Sequence, residues 1–145
     1  MRIVFGLDGV LADGRDRKWM LGQSTVNWER YHGESFRDDV LWPTASLYRT
    51  LWSQGHEPEV WTGRLVSHSD MTVKWFKDHS LPLGRLRMCP EGGVSGHIMK
   101  RIWHRADLAD GAPYPAMVFC RPFAEVCMWR RENVFCIQVF NGSDE

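Results

Sequence analysis

Short apolar runs alternate along the chain with longer segments in which apolar residues recur every three to four positions. The short runs predict strands at residues 2–7, 56–62, 81–88, 116–120 and 134–139. The longer segments predict helices at residues 43–55, 67–79, 95–106 and 122–133. Because strands that alternate with helices form parallel sheets covered on both faces, the pattern predicts an α/β fold. We expect a three-layer sandwich with a central parallel sheet.

Residues 13–41 interrupt this alternation. The segment is polar, contains glycines and is only weakly periodic, with one or two short helices predicted around Trp28 and Tyr31. We interpret it as a short, cap-like insertion after the first strand. A chain of 145 residues has room for one compact domain, so we expect residues 1–145 to form a single domain that carries this insertion.

The composition is that of an ordinary globular protein, with 43% hydrophobic and 25% charged residues. Eighteen basic residues balance 18 acidic ones, so no global charge favours nucleic acid or acidic lipid. No apolar run approaches the ~20 residues that a membrane span needs, and the first residues become polar too early for a signal peptide. We therefore expect a soluble, cytoplasmic protein without membrane contact.

Cysteine and tryptophan change this picture little. The four cysteines include no CxxC pair, which favours buried thiols over a zinc site or disulfides. The eight tryptophans are spread along the whole chain, which favours core packing. An aromatic surface that stacks on nucleic acid remains the alternative.

Several residues with useful chemistry fall at or just after the ends of predicted strands. The carboxyl ends of parallel strands meet at one edge of the sheet, where ligands bind in such folds. We therefore expect these residues to lie close together in space although they are distant in sequence. They are Asp8, Thr62, Gly63, Arg64, Cys120 and Arg121.

The motifs resemble those of the haloacid dehalogenase (HAD) superfamily of phosphatases. Residues 5–13, Phe-Gly-Leu-Asp-Gly-Val-Leu-Ala-Asp, resemble its first motif, which is usually Phe-Asp-x-Asp-Gly-Thr/Val-Leu, and residues 61–64 resemble the second. Lys100 stands where the family carries its lysine. Residues 128–130 and 135–139 are similar to the tail of the 3′-phosphatase domain of phage polynucleotide kinases and related small phage phosphatases.

The resemblance implies a HAD-like, Rossmann-like fold and Mg²⁺-dependent phosphoryl transfer to an aspartate. In the family, a first aspartate attacks phosphorus and a second, two residues later, acts as the general acid and base. Mg²⁺ binds the first aspartate, the backbone carbonyl of the second and an acidic residue of the fourth motif. Carried over to this chain, Asp8 matches the acid and base, Thr62 and Gly63 the phosphate-binding turn, and Lys100 the cation that holds the phosphoryl oxygens.

Other positions depart from the family pattern. The nucleophile position is Gly6, which has no side chain to attack phosphorus or bind a metal. The fourth motif falls on Cys120 and Arg121, or on Phe119 and Cys120 in a register shifted by one, and neither register contains an acid. Arg121 would repel Mg²⁺. The resemblance thus implies a catalytically inactive phosphatase fold with no metal and no other cofactor.

Three functions follow from these departures. We favour an inactive, phage-encoded protein that binds a host protein in the cytoplasm of the host cell. The first alternative is a residual Mg²⁺-dependent phosphatase on nucleotide or polynucleotide 3′-phosphates, which would need Asp8 to activate water directly or a metal held in an unusual way. The second alternative is an anion- or nucleic-acid-binding module that uses Thr62, Gly63, Arg64 and Lys100 to bind phosphate weakly. For Asp8, a structural role in the turn is favoured, and a nucleophilic Cys120 is disfavoured because no base is evident beside it.

Overall fold

Ile3, Val4 and Phe5 form the central strand of a five-stranded sheet in the computed structural model, which describes residues 1–90 and 94–139. In chain order, the strands are β1 (Ile3–Phe5), β2 (Ala12–Asp13), β3 (Asp39–Val40), β4 (Glu59–Leu65), β5 (Leu86–Cys89), β6 (Met117–Cys120) and β7 (Cys136–Gln138). The helices are α1 (Trp28–Gly33), α2 (Trp42–Ser53), α3 (Ser69–Asp78), α4 (Gly96–Ala109) and α5 (Phe123–Arg131).

The strand order in the main sheet is β5-β4-β1-β6-β7, and all neighbouring strands are parallel. Val4 is the register partner of both Glu59 in β4 and Val118 in β6, so β1 is hydrogen-bonded on both sides. The predicted central parallel sheet is therefore confirmed. Its topology places the carboxyl ends of β1, β4 and β6 side by side.

Alternating side chains of β1 divide the core into two layers. Ile3 and Phe5 pack in one cluster with Tyr48 of α2 and Trp75 of α3. Val4 packs in the other cluster, with Trp129 of α5. Because successive strand residues face opposite sides of a sheet, α2 and α3 cover one face while α4 and α5 cover the other. The predicted three-layer arrangement is confirmed.

Strand β4 begins and ends three residues later than the strand predicted at residues 56–62. Strand β4 continues to Leu65, so Thr62, Gly63 and Arg64 lie within it, whereas the sequence pattern predicted a turn after Thr62. The physical reason is its pairing with β5, where the register shifts between Trp61 and Leu65 and Leu65 then pairs with Cys89. Part of the loop predicted at residues 89–93 lies outside the described residues.

The insertion at residues 13–41 is anchored to the core by its two ends. Strand β2 pairs with β3 in antiparallel fashion, with Ala12 opposite Val40. Between them lie a 3₁₀ segment (Arg15–Gly22), helix α1 and a short 3₁₀ turn (Ser35–Arg37). The predicted short helix around Trp28 and Tyr31 is α1. Among residues 1–90 and 94–139, no helix combines the length and the apolar character that crossing a membrane requires.

Cysteines and tryptophans differ in how well they follow the prediction. All four cysteines are free thiols, and Cys89, Cys120 and Cys136 are buried as predicted. Tryptophans follow the core-packing prediction only in part. Trp61, Trp75 and Trp129 are fully buried, whereas Trp19, Trp28 and Trp42 are each more than half exposed.

Candidate functional site

A cavity of about 660 Å³ opens at the carboxyl ends of β1, β4 and β6. The topology brings most of the sequence-predicted site residues to its surface, as expected for parallel strands whose ends coincide. Those that line it are Gly6, Asp8, Thr62, Gly63, Lys100 and Arg121. Arg64 lies behind Asp8, and Cys120 is buried beneath the cavity within β6.

Gly6 forms part of the cavity floor and is closely packed. Its N–H donates to the carbonyl of Phe119, at 2.8 Å. A Cβ atom at this position would lie 3.2 Å from Cγ2 of Val10 and 3.5 Å from the Phe119 oxygen. The position that corresponds to the family nucleophile thus has no reactive group and little room for one.

Asp8 is bound by two buried arginines. Arg64 donates from Nη2 to Oδ1 at 2.7 Å, and its Nε lies 3.2 Å from both carboxylate oxygens. Arg17, in the insertion, donates from Nη2 to Oδ1 at 2.9 Å. The Asp8 side chain remains 32% exposed, on the side that faces the cavity.

These arginines keep Asp8 ionised. Burial by itself would raise the pKa of Asp8, but the charge and hydrogen bonds of Arg64, followed by the charge of Arg17, hold it well below its ordinary value. A general acid must carry a proton near neutral pH. In this arrangement Asp8 is a counter-ion for two arginines and not a proton donor.

Asp38 completes a network of two aspartates and two arginines. Arg17 forms a bidentate pair with it, at 2.8 Å from Nε to Oδ1 and 2.6 Å from Nη2 to Oδ2. Arg64 Nη2 reaches the same Oδ2 at 3.2 Å, and the Asp38 carbonyl accepts from Nε1 of Trp75 at 2.8 Å. Since Arg17 and Asp38 belong to the insertion, the network fastens the insertion to the sheet. Sequence analysis missed both residues, because neither lies in a motif.

Lys100 is also paired inside the protein. Its Nζ lies 2.7 Å from Oε2 of Glu125, and the two residues are only 4% and 7% exposed. Glu125 lies in the first turn of α5 and lines the cavity. Its other oxygen, Oε1, would be 3.1 Å from a Cβ at position 96, which favours glycine there. The positive charge predicted to hold a phosphoryl group is therefore already compensated.

Glu125 is a third site residue that the sequence motifs did not identify. The signal was present: Glu125 is an acid in the first turn of the helix that follows a strand ending at the cavity. The resemblance placed the fourth motif only on Phe119, Cys120 and Arg121, and Glu125 lies beyond these positions. The structure brings a carboxylate to this side of the cavity from a position four residues after Arg121.

Arg64 and Thr62 are engaged with protein groups. The backbone N–H of Arg64 donates to Oγ1 of Thr62 at 3.1 Å. The Arg64 guanidinium is fully buried and directed to Asp8 and Asp38, whereas the anion-binding alternative used Arg64 to bind phosphate. The reason is that β4 continues through this position, so the side chain points into the protein and not into a loop.

Cys120 is the last residue of β6, and Arg121 follows it directly. The side-chain carbons of Arg121 lie over Gly9, where a Cβ would be 2.8 Å from Cγ; Gly9 also has a φ of +75°. Cys120 Sγ lies 3.3 Å from Cys136 Sγ, and this hydrogen bond together with burial raises the pKa of the Cys120 thiol. A buried thiol with a raised pKa is a poor nucleophile.

The donor set of the cavity does not fit Mg²⁺. A hard cation needs several oxygen ligands. Position 6 offers no side-chain oxygen, Asp8 is bound to two arginines and Glu125 is bound to Lys100. In the described part of the chain, no cluster of three or more histidine, cysteine, aspartate or glutamate side chains could hold a metal ion.

The insertion contributes an aromatic wall to the cavity, formed by Trp28, Tyr31 and His32 of α1. Their spacing, i, i+3 and i+4, puts all three on one helix face. Arg17 lies over the Tyr31 ring, 4.4 Å from its centroid, and donates to the Tyr31 carbonyl at 3.0 Å. The network that binds Asp8 thus also positions this wall.

Solved structures show the same architecture. The Pnkp1/Rnl/Hen1 complex contains a chain 20% identical to this one, with a TM-score of 0.77 over 99% of this chain and 46% of that chain. The class C acid phosphatase of Bacillus anthracis with tungstate bound is 11% identical, with a TM-score of 0.66 over 99% and 73% of the two chains. A HAD-like family hydrolase of Streptococcus pneumoniae is 10% identical, with a TM-score of 0.58 over 94% and 83%.

These likenesses define the class of fold. The chain has a HAD-like fold, as the motifs implied, and it spans less than half the length of the chain it matches in the Pnkp1/Rnl/Hen1 complex. No protein-family model matches the sequence, and no curated protein does.

Proposed function

We propose that this protein is a catalytically inactive, phosphatase-like protein that acts by binding. The observation that carries the proposal is the pairing of Asp8 with Arg64 and Arg17, at 2.7 and 2.9 Å. The group that would move protons in this fold is instead the counter-ion of two buried arginines. Gly6 beside it supplies no nucleophile.

The remaining charges support the same conclusion. Phosphoryl transfer depends on cations that neutralise charge developing on the phosphoryl oxygens. Lys100 is neutralised by Glu125, and Arg64 by the two aspartates of the network. Loss of the nucleophile alone costs roughly 10⁶ in turnover in a concerted site. The site lacks a nucleophile at Gly6, and its cations Lys100 and Arg64 are neutralised. It is therefore better suited to binding a ligand or partner than to turnover.

Phosphate release tests the proposal directly. Wild-type protein, Asp8→Asn and Asp13→Asn would be incubated with Mg²⁺ and either 1-naphthyl phosphate or a 3′-phosphorylated dinucleotide. Asp13 is the matched control, because its carboxylate binds Arg15 in the insertion and does not line the cavity. We expect no release above the protein-free blank for any of the three. Release that Asp8→Asn abolishes and Asp13→Asn preserves would establish a residual phosphatase and overturn the proposal.

In this proposal the protein is encoded by a phage, and its partner is a host protein that it binds in the cytoplasm of the host cell. Support comes from three exposed rings in and beside the insertion, Trp19, Phe36 and Trp42, each about half exposed. Large exposed rings of this kind are enriched in protein interfaces. Among the structural neighbours, Pnkp1 is found in a complex with Rnl and Hen1. We expect a host protein to co-purify through a high-salt wash, and to be lost when Trp19 and Phe36 are both changed to Ser.

A second candidate function, nucleic-acid binding, rests on the same three rings. An arginine lies over each of them, with guanidinium carbons 5.3 Å from Trp19, 5.1 Å from Phe36 and 5.2 Å from Trp42. Rings and arginines together bind single strands by stacking and charge. The high-salt wash distinguishes the two functions. If only nucleic acid co-purifies and the salt removes it, nucleic-acid binding is favoured and the host-protein interface is excluded. Binding of phosphate that disappears in Lys100→Ala would instead favour the anion-binding module.

A further inference from the structure

The cavity has the size of a small-molecule site. Its volume of about 660 Å³ lies within the ~300–1,000 Å³ that ligand pockets usually show. One side is the aromatic wall of Trp28, Tyr31 and His32. Apolar side chains from other elements, Val10, Leu65 and Val94, also line it. The site is thus mainly hydrophobic, which is the common character of small-molecule pockets.

The three rings of the aromatic wall are arranged against each other. Trp28 and His32 lie nearly parallel, with centroids 6.0 Å apart and an angle of 25°, while Tyr31 meets Trp28 edge-on at 5.8 Å. Trp28 is 54% exposed, although other tryptophans of the fold are fully buried. A large ring held at a cavity in this way offers a stacking surface to a planar ligand.

The charged side chains that line the cavity balance, two acidic against two basic, so they give it no net charge that favours an anion. Asp8 presents its partly exposed carboxylate to the cavity, and Glu125 adds a second carboxylate beside Lys100. To bind a phosphate, Lys100 would have to leave Glu125, at the cost of an unpaired buried carboxylate. Arg121 lines the cavity too, and its alkyl carbons lie over Gly9, so part of its surface there is apolar.

The protonation state of His32 also favours an uncharged ligand. Burial lowers the pKa of His32, and the nearby Asp8 carboxylate opposes this only in part, so the ring is neutral at neutral pH. The wall therefore offers three uncharged aromatic rings.

We infer that the cavity binds an uncharged, planar aromatic molecule that stacks on Trp28, with Tyr31 and His32 beside it, in place of the phosphate ester that the fold implies. The inference rests on the proposed function, because a site that hydrolysed phosphate esters would have to accept them. It adds the chemical class of ligand that the inactive cavity takes.

A matched pair of probes tests the inference: 1-naphthol and 1-naphthyl phosphate, titrated separately into the protein by calorimetry. The two share the ring and differ by the phosphate. We expect 1-naphthol to bind with a Kd at least tenfold lower than that of 1-naphthyl phosphate. Trp28→Ala should weaken 1-naphthol binding about fivefold to tenfold, since ring stacking contributes roughly that much. Trp28→Phe, which keeps a ring, should recover most of the loss.

Phe135→Ala is the control, because Phe135 is an aromatic residue of the surface, 66% exposed, that does not line the cavity. It should leave 1-naphthol binding unchanged. Equal or tighter binding of 1-naphthyl phosphate, absence of 1-naphthol binding, or equal effects of Trp28→Ala and Phe135→Ala would each overturn the inference. Failure of the proposed function is seen separately, as 1-naphthol released from 1-naphthyl phosphate.

Discussion

The Nζ atom of Lys100 lies 2.7 Å from Oε2 of Glu125, and the pair joins α4 to α5. Both side chains are buried, so each charge depends on the other for its stabilisation. The pair lies on the cavity surface. The Lys100 charge at the cavity is therefore compensated within the protein.

We expect Glu125→Gln to destabilise the protein by about 3–5 kcal/mol, because it leaves Lys100 buried without a counter-charge. Urea unfolding at pH 7 measures the loss. The double variant Lys100→Met, Glu125→Gln removes both charges and should recover most of the stability. A single-variant loss below about 1 kcal/mol would mean that the pair is solvated and that Lys100 is available to anions.

Stability should depend on pH through Asp8. The folded-state pKa of Asp8 is held below its ordinary value of 3.8, so its ionised form stabilises the fold. That contribution is fully present above an ordinary unfolded-state pKa and is lost as pH falls below it, towards the folded pKa. Urea midpoints measured between pH 7 and pH 3 should therefore fall less steeply in Asp8→Asn than in the wild type. Parallel curves for the two proteins would show that the arginines do not stabilise the Asp8 carboxylate.

Arg17 should control how firmly the insertion is held. It binds Asp8, Asp38 and the carbonyl of Tyr31, so Arg17→Leu removes contacts to both the sheet and α1. We expect faster amide hydrogen exchange in residues 15–37, with the main sheet still protected. Arg37→Leu is the matched control, because the Arg37 side chain is 73% exposed and its contact with Glu34 is 3.6 Å. Equal exchange in the two variants would show that the network does not fasten the insertion.

Restoring only the nucleophile should not restore catalysis. Gly6→Asp supplies a carboxylate, but the acids of the fourth motif are still absent at positions 120 and 121, and Asp8 remains bound to Arg64 and Arg17. We expect no phosphate release from 1-naphthyl phosphate with Mg²⁺, and a stability loss of about 1–3 kcal/mol from crowding against Val10. Gly6→Ala separates crowding from charge. Addition of acids at positions 120 and 121 is the next step towards a metal site, and turnover in Gly6→Asp alone would show that the metal ligands lie elsewhere.

Local patterns in the sequence were sufficient for most of the fold. Periodicity and stop signals reflect which face of a short segment is buried, and this is decided within about ten residues. The strand around Val4, the helix that begins at Trp42 and Pro43, and the short helix around Trp28 all form close to their predicted places. The bounds of β4 were predicted less well, because its continuation to Leu65 depends on pairing with β5.

The candidate site likewise combines features that the local sequence predicts with features that depend on contacts between distant residues. The loss of the nucleophile at Gly6 can be seen from the sequence, since a missing side chain needs no partner to be recognised. The state of Asp8 could not be predicted, because Arg64 lies 56 residues away from it in the chain and Arg17 comes from an insertion without a motif. Glu125 and Lys100 are likewise 25 residues apart. The reactive groups can be listed from the amino-acid sequence, because side-chain chemistry belongs to each residue. Which charges pair with each other depends on the folded chain, because ion pairs form only over distances of a few ångströms between residues that folding brings together.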